Sequence, residues 1–262
     1  MPTSDPMIDG APAPVETAAH LPLPPTRLTR PALFLDMDGV LAPLAETPDA
    51  VVPHPERTAA LKAVAGRLNH RVAIISGRTI AEIDRIAEAS TASASGVHGL
   101  ERRRADGSLH RAEASPAVRD AVAAFEAFAR KRPGIIVEDK AVSAGLHYRG
   151  APAHEADALD LAARLADETG LALQTGNLVV ELKTPGSSKG TALEAFMREP
   201  PFAGAVPIML GDDLTDEDGF RAAGALGGFG VLVGPPRPTA ARYRLPDVDA
   251  VLAWLNAVEE SE

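Results

Sequence analysis

Ala32-Leu33-Phe34-Leu35-Asp36-Met37-Asp38-Gly39-Val40 is an uncharged apolar segment ending in two aspartates one residue apart, with a glycine just beyond. An apolar run of about four to eight residues, bounded this way, reads as a buried parallel strand. In open α/β sheets, ligands bind at the carboxyl ends of such strands. Two carboxylates there are costly to desolvate unless something positive faces them. A metal ion meets that need, and a metal beside a carboxylate suits phosphoryl transfer. An acidic surface turn is the competing reading, and the rest of the chain decides between them.

Outward from this segment the strand–helix alternation repeats. Residues 56–69 alternate apolar and polar positions at helical spacing, and residues 71–75 read as a second buried strand ending at Ser76-Gly77-Arg78. A helix is expected over 79–89 with Thr79 as its N-cap. Near the other end, 190–198 is helical, 206–210 a strand, 215–223 helical, 231–233 a short strand and 248–258 a closing helix. Such alternation indicates βαβ units and a parallel sheet. The middle differs: a helix from Ser115-Pro116 to about 131, strands over 135–142 and 145–149, a helix over 153–168 ending at Gly170, and strands over 171–175 and 178–183 about a Gly176-Asn177 turn. The expectation is an α/β fold, with a doubly wound parallel-sheet core over residues 29–108 and 184–258. An inserted α+β module of order α-β-β-α-β-β occupies 109–183.

The 262 residues suffice for one large or two modest domains. No stretch of about eighteen apolar residues exists to span a membrane. The absence of cysteine excludes disulfides and thiolate chemistry. A net charge of −10 argues against a nucleic-acid partner, and Arg102-Arg103-Arg104 reads as a solvated loop. Residues 1–28 are rich in Pro and Ala and lack both the basic start and the apolar core of a signal peptide; they read as a disordered tail of a cytoplasmic protein.

Four core segments carry chemistry. Asp36 can attack phosphorus, since carboxylates form acyl phosphates. Asp38 can reach a leaving-group oxygen as general acid if the chain turns at Gly39. Ser76 can bond a phosphoryl oxygen. Lys189 opens a helix, where the dipole disfavours a cation, so it calls for a negative neighbour. Gly211-Asp212-Asp213-Leu214-Thr215-Asp216-Glu217-Asp218 is an oxygen-rich run after an apolar strand, suited to Mg²⁺. Singly, each has an ordinary structural explanation: a turn, a surface lysine, a solvated helix start. EF-hand, Walker, dinucleotide and zinc-protease patterns all fail on spacing.

In this order, Asp36-x-Asp38-Gly39-Val40, Ser76, Lys189 and Gly211-Asp212-x-x-x-Asp216 resemble the four motifs of the haloacid dehalogenase (HAD) superfamily of phosphatases. The resemblance implies a Rossmann-like core with a C2-type cap inserted between Ser76 and Lys189. It also implies that Asp36 is the nucleophile, Asp38 the acid and then the base, and Ser76 and Lys189 the holders of the phosphoryl oxygens. Asp36, the Asp38 carbonyl and Asp212 would bind Mg²⁺, with Asp213 and Asp216 supporting them from behind.

Within the cap, Glu138 and Lys140 share one strand face, opposite Val137, and Glu181 lies opposite Val180 and Leu182. Acceptors and a donor presented together can read sugar hydroxyls, although cross-strand ion pairs on a solvated face would look the same. Val137-Glu138-Asp139-Lys140, His147-Tyr148-Arg149, Val180-Glu181-Leu182-Lys183, Ser76-Gly77-Arg78 and Gly96-Val97-His98-Gly99 resemble the trehalose-6-phosphate phosphatases, over residues 31 to about 255. By that resemblance Glu138, Lys140 and Glu181 grip the distal glucose, and Gly77, Arg78, His147 and Arg149 join the substrate-binding set. Ala141-Val142 departs from the glycine expected after the lysine. The implied reaction is hydrolysis of trehalose 6-phosphate through an aspartyl-phosphate. Sucrose phosphate or mannosylglycerate phosphate as substrate, and a sugar-phosphate mutase, are the competing activities.

Overall fold

A computed structural model describes residues 21–45, 47–176 and 178–261. In chain order the strands and helices are β1 (Arg27–Thr29), β2 (Pro31–Leu35), α1 (Pro55–Arg67), β3 (Val72–Ile75), α2 (Ile80–Ala87), β4 (Ser93–Gly96), β5 (Glu101–Arg103), β6 (Leu109–Arg111) and α3 (Ala117–Ala129). These are followed by β7 (Ile136–Asp139), β8 (Ser143–His147), α4 (Glu155–Thr169), β9 (Ala172–Gly176), β10 (Val179–Lys183), α5 (Lys189–Met197), β11 (Val206–Gly211), α6 (Glu217–Ala225), β12 (Phe229–Val233), β13 (Tyr243–Leu245), α7 (Val248–Ala257) and β14 (Glu259–Ser261).

Eight strands form one sheet in the order β13-β12-β11-β2-β3-β4-β5-β6. From β13 to β4 the pairs are parallel, and β5 and β6 add an antiparallel edge. The order runs outward from β2 in both directions, which makes the carboxyl end of β2 the topological switch point where α/β sheets bind ligands. Alternate strand residues feed two apolar layers. Leu33, Leu35, Ile74 and Leu210 pack with Leu61 and Val64 of α1 and Val251 and Leu255 of α7. Phe34, Ala73, Ile75 and Met209 pack with Leu193 and Phe196 of α5 and Phe220 of α6. A strand buried on both faces has no polar alternation, which is why β2 reads as continuously apolar.

The inserted segment forms a four-stranded antiparallel sheet, β7-β8-β10-β9. Val118, Ala121 and Phe125 of α3 and Ala158 and Ala162 of α4 cover one face, against Ala144, Leu146, Val180 and Leu182. The other face carries the polar residues and turns toward the core.

The structure corrects several expectations. Residues 21–28 of the expected tail are built into the core: β1 pairs with β14, the Trp254 indole donates to the Pro25 carbonyl at 3.1 Å, and Leu28 is buried. The remaining tail residues lie outside those described. The core also runs on past 258, through β14. Leu109–Arg111 forms the edge strand of the core sheet, so the inserted segment begins after it and not at 109. Arg102 and Arg103 sit on β5 and not in a loop; they pair with Glu199 at 3.0 Å and Asp84 at 2.5 Å. The break expected after residue 142 falls earlier, with Lys140 to Val142 forming the β7–β8 turn. Asn177 of the expected hairpin turn lies outside the described residues. Thr79 caps α2 as expected, accepting from Glu82 N–H while the Glu82 carboxylate reaches back.

Candidate active site

Three strand ends meet at the switch point. Asp36 directly follows β2 and is buried; its N–H donates to the Leu210 carbonyl on β11 at 3.1 Å, and its Oδ1 accepts the Met37 N–H at 2.7 Å. Its Oδ2 accepts from Lys189 Nζ at 2.6 Å, and the same ammonium donates to Asp216 Oδ1 at 2.7 Å. Lys189 is the first residue of α5 and 2% exposed. The helix dipole and burial both oppose its charge, but Asp216 and Asp36 outweigh them and hold the ammonium well above its usual pKa.

Asp216 is fully committed. Its Oδ2 accepts the backbone N–H groups of Asp212 at 2.9 Å and Asp213 at 3.1 Å. Gly211 permits this, because a Cβ there would lie 2.1 Å from the Asp216 carboxyl carbon. Gly39 does the same for Asp212: at φ +74° it leaves room for the carboxylate, which would lie 2.1 Å from a Cβ. Asp36, Asp212 and Asp216 offer oxygens within 4.8 Å of one another. Burial pushes the Asp36 carboxyl up to about 7, against Lys189, with Asp212 and Asp213 adding repulsion. Burial, then Asp216 and Asp213, push Asp212 up to about 7 as well. Hard oxygens crowded at such cost fit a divalent cation. Asp216 is fully buried behind the cleft, with one oxygen spent on the backbone of its own loop, whereas Asp36 and Asp212 line the cleft, so these two carboxylates are the ones open to an ion. The Asp38 side chain faces elsewhere: Arg78 clamps it through Nε–Oδ2 and Nη2–Oδ1, both 2.7 Å. Ser76, past β3, is buried, and its Oγ accepts the Arg78 N–H at 3.3 Å.

Across the cleft stand the cap side chains. Lys140 Nζ lies 3.4 Å from Glu138, 3.6 Å from Glu181 and 3.0 Å from the Gly77 carbonyl in the core. His147 bonds Glu138 at 2.8 Å. Burial opposes the charge of Glu181, but Lys140 and His98 overcome it and hold the carboxyl well below the usual range. Burial likewise opposes Lys140, and Glu181 and Glu138 raise it in return. A cleft of about 620 Å³ is lined by Asp36, Asp38, Ser76, Gly77, Arg78, Lys189, Asp212 and Asp213 on the core side and by Glu138, Lys140, His147, Arg149 and Glu181 on the cap side. Of the residues expected at the site, Asp216 alone lies behind this lining.

Sequence reasoning missed three participants. His98 bridges core to cap, with its Nε2 2.8 Å from Gln174 Nε2 and 3.4 Å from Glu181 Oε2. Its Gly96-Val97-His98-Gly99 setting was the available signal. Gln174 had none. Arg237 donates to the carbonyls of Asp212 at 3.3 Å and Asp213 at 2.6 Å and pairs with Glu217, tying down the acidic loop. A lone arginine among prolines gives no pattern to read.

The trehalose-phosphatase family model matches residues 34–249. The chain is 40% identical to the trehalose-6-phosphate phosphatase of Escherichia coli over 229 residues, covering 87% of this chain and 86% of that one. Its fold is similar to the C-terminal domain of the Candida albicans trehalose-6-phosphate phosphatase, with a TM-score of 0.77 at 22% identity, over 87% of this chain and 91% of that one. It is also similar to a HAD-superfamily phosphatase of Bacteroides thetaiotaomicron, with a TM-score of 0.60 at 18% identity, over 92% of this chain and all of that one.

Proposed function

This chain belongs to the trehalose-phosphatase family, and from that premise we propose that Asp36 is the nucleophile with which it hydrolyses trehalose 6-phosphate to trehalose and inorganic phosphate. The observation that carries the assignment is the buried Asp36 carboxylate, held by Lys189 at 2.6 Å at the switch point of the sheet and facing a cleft whose far wall is the polar cap. Asp36 Oδ attacks phosphorus and the bond from phosphorus to the sugar oxygen breaks. Asp38 gives its proton to that oxygen, releasing trehalose and leaving an aspartyl-phosphate. Water then attacks the phosphorus, Asp38 takes the water's proton, and the acyl-phosphate bond breaks to return Asp36. Lys189 and the Ser76 hydroxyl hold phosphoryl oxygens, and Lys189 also offsets their growing charge. Arg78 must release Asp38 for this, since both Asp38 oxygens are bonded to it at rest.

HAD phosphatases generally use Mg²⁺, and the acidic cluster fits that ion. Asp36, Asp212 and the Asp38 carbonyl would hold it, where it supplies Lewis-acid charge to the phosphoryl group. Asp216 and Asp213 orient the ligand loop. Glu138, Lys140 and Glu181 bind the distal glucose, with His147 and Arg149 beside them. The substrate is thus a small molecule, and the net charge of −10 weighs against nucleic acid. Among the described residues no helix is long and apolar enough to cross a membrane, and a phosphorylated sugar is in keeping with a cytoplasmic setting. Phosphate release from trehalose 6-phosphate, sucrose phosphate, mannosylglycerate phosphate and glucose 6-phosphate, with and without Mg²⁺, tests the reading. Preference for trehalose 6-phosphate and dependence on Mg²⁺ are expected; preference for another sugar phosphate would replace the substrate.

A further inference from the structure

His98 belongs to the core, yet its ring faces the cap. It sits in the tight turn Val97–Gly99 after β4 at φ +52° and is 8% exposed. The ring lies on Gly77, where a Cβ would come within 2.5 Å of Nε2. That nitrogen meets Gln174 and Glu181, which are direct cross-strand partners on β9 and β10 and so share a face. All three line the cleft.

One ring nitrogen is asked for two opposite roles. Lys183 Nζ, a donor only, lies 2.7 Å from the Gln174 oxygen and so turns the amide N–H groups of Gln174 toward His98. Gln174 therefore requires a lone pair on His98 Nε2. Glu181, an ionised acceptor, requires an N–H on the same atom. With the lone pair there, the proton of the neutral ring sits on Nδ1, which is buried and has no partner among the described residues. With the proton on Nε2, it abuts the Gln174 N–H. Glu181 Oε1 is also buried without a hydrogen-bond partner among the described residues. Buried polar groups in native proteins are satisfied, so this set is complementary to something that both donates and accepts.

We propose that His98 and Gln174, together with Glu181, read one hydroxyl of the substrate's non-phosphorylated sugar ring, an inference that rests on the functional reading above. The hydroxyl donates to Glu181 and accepts the Gln174 N–H on its oxygen. His98 is left with a single role, donating Nε2–H to Glu181. Neither an ether nor an apolar group resolves the conflict, because neither can both give and take a hydrogen. Since His98 comes from the core and the other two from the cap, the triad forms only with the cap closed, which couples recognition of this hydroxyl to closure.

The test uses the full chain with trehalose 6-phosphate, its analogues singly deoxygenated on the distal ring, and p-nitrophenyl phosphate. Gln174→Met keeps length and removes the donor. It should lower the ratio of kcat/KM for trehalose 6-phosphate over p-nitrophenyl phosphate by about 10- to 100-fold. One deoxy analogue should be poor for the wild type, and its penalty relative to the parent substrate should shrink several-fold in Gln174→Met without vanishing, since the bond to Glu181 remains, while the other analogues keep their wild-type penalties. His98→Phe, which removes the donor that positions Glu181, should lower the same ratio of kcat/KM and reduce the penalty of the same analogue; if it does not fold, Gln174→Met decides alone. Equal losses on all substrates, or full retention of discrimination against every analogue, would overturn the proposal and make the triad a strut between cap and core. A wild type inactive on trehalose 6-phosphate would overturn the functional reading and this inference with it, before any variant is compared.

Discussion

Gly39 occupies a left-handed conformation, and its missing Cβ is the space that the Asp212 carboxylate fills. Gly39→Ala should therefore act twice: the conformation costs about 1–2 kcal/mol for a residue with a side chain, and the methyl group displaces Asp212. The expected outcome is a several-fold rise in the Mg²⁺ concentration giving half-maximal activity, together with a lowered Tm. An unchanged Mg²⁺ requirement would remove Asp212 from the metal site. At this scale the convergence of the core side chains on one cleft is legible in sequence, because Asp36, Ser76 and Asp212 each follow an apolar strand and Lys189 opens a helix. His98, Gln174 and Arg237 are not. Their roles come from tertiary approach: Gln174 faces Glu181 only through the register of β9 on β10, and nothing local to Arg237 marks its reach to Asp212 and Asp213.

The cap sheet shows how far elements can be read. Its two-residue alternation correctly sets Val137, Val180 and Leu182 against the helices and Glu138 and Glu181 opposite them. The core edge was harder. β4 is Ser93-Ala94-Ser95-Gly96, fully buried yet without branched or large apolar residues, so its sequence carries no strand signature. β6 is wholly exposed at the sheet edge, so burial imposes no apolar pattern on its sequence. Two predictions belong here. Ala141 in the β7–β8 turn has φ +66°, so Ala141→Gly should raise unfolding free energy in denaturant titration by about 0.5–1 kcal/mol; destabilisation would mean that the turn is not strained. Lys140 joins Glu138 and Glu181 to the Gly77 carbonyl. Lys140→Ala should lower kcat/KM for trehalose 6-phosphate relative to p-nitrophenyl phosphate, by about 10-fold or more for hydrogen bonds to charged groups worth about 1.5–3 kcal/mol. An unchanged ratio would assign Lys140 to cap folding and not to the sugar.

For the whole molecule, the acidic centre links stability to pH and metal. Asp36 and Asp212 titrate near 7 in the folded chain, against about 3.9 in an unfolded one. Between those values the folded state binds more protons, so the metal-free protein loses stability from these two groups as pH rises from about 4 to 7. A cation competing with those protons reverses the loss. The Tm increment on adding Mg²⁺ should therefore be small at pH 5 and larger at pH 8, and a pH-independent increment would mean that the metal binds elsewhere. Glu181 and Glu138 run the other way: held below their usual range despite burial, they add stability above about pH 4.5 that is lost on acidification. The doubly wound layout that joins these groups was legible from apolar strands alternating with helices, whereas the attachment of β1 to β14 joins the two ends of the chain and has no local signal.

The most direct measurement is rapid acid quench of the wild type and Asp36→Asn with trehalose 6-phosphate carrying labelled phosphate, followed by identification of the labelled peptide. Label bound as an acyl phosphate to Asp36 during turnover, and neither label nor steady-state turnover in Asp36→Asn, are expected. Label on another residue, or substantial turnover by Asp36→Asn, would contradict the role assigned to Asp36.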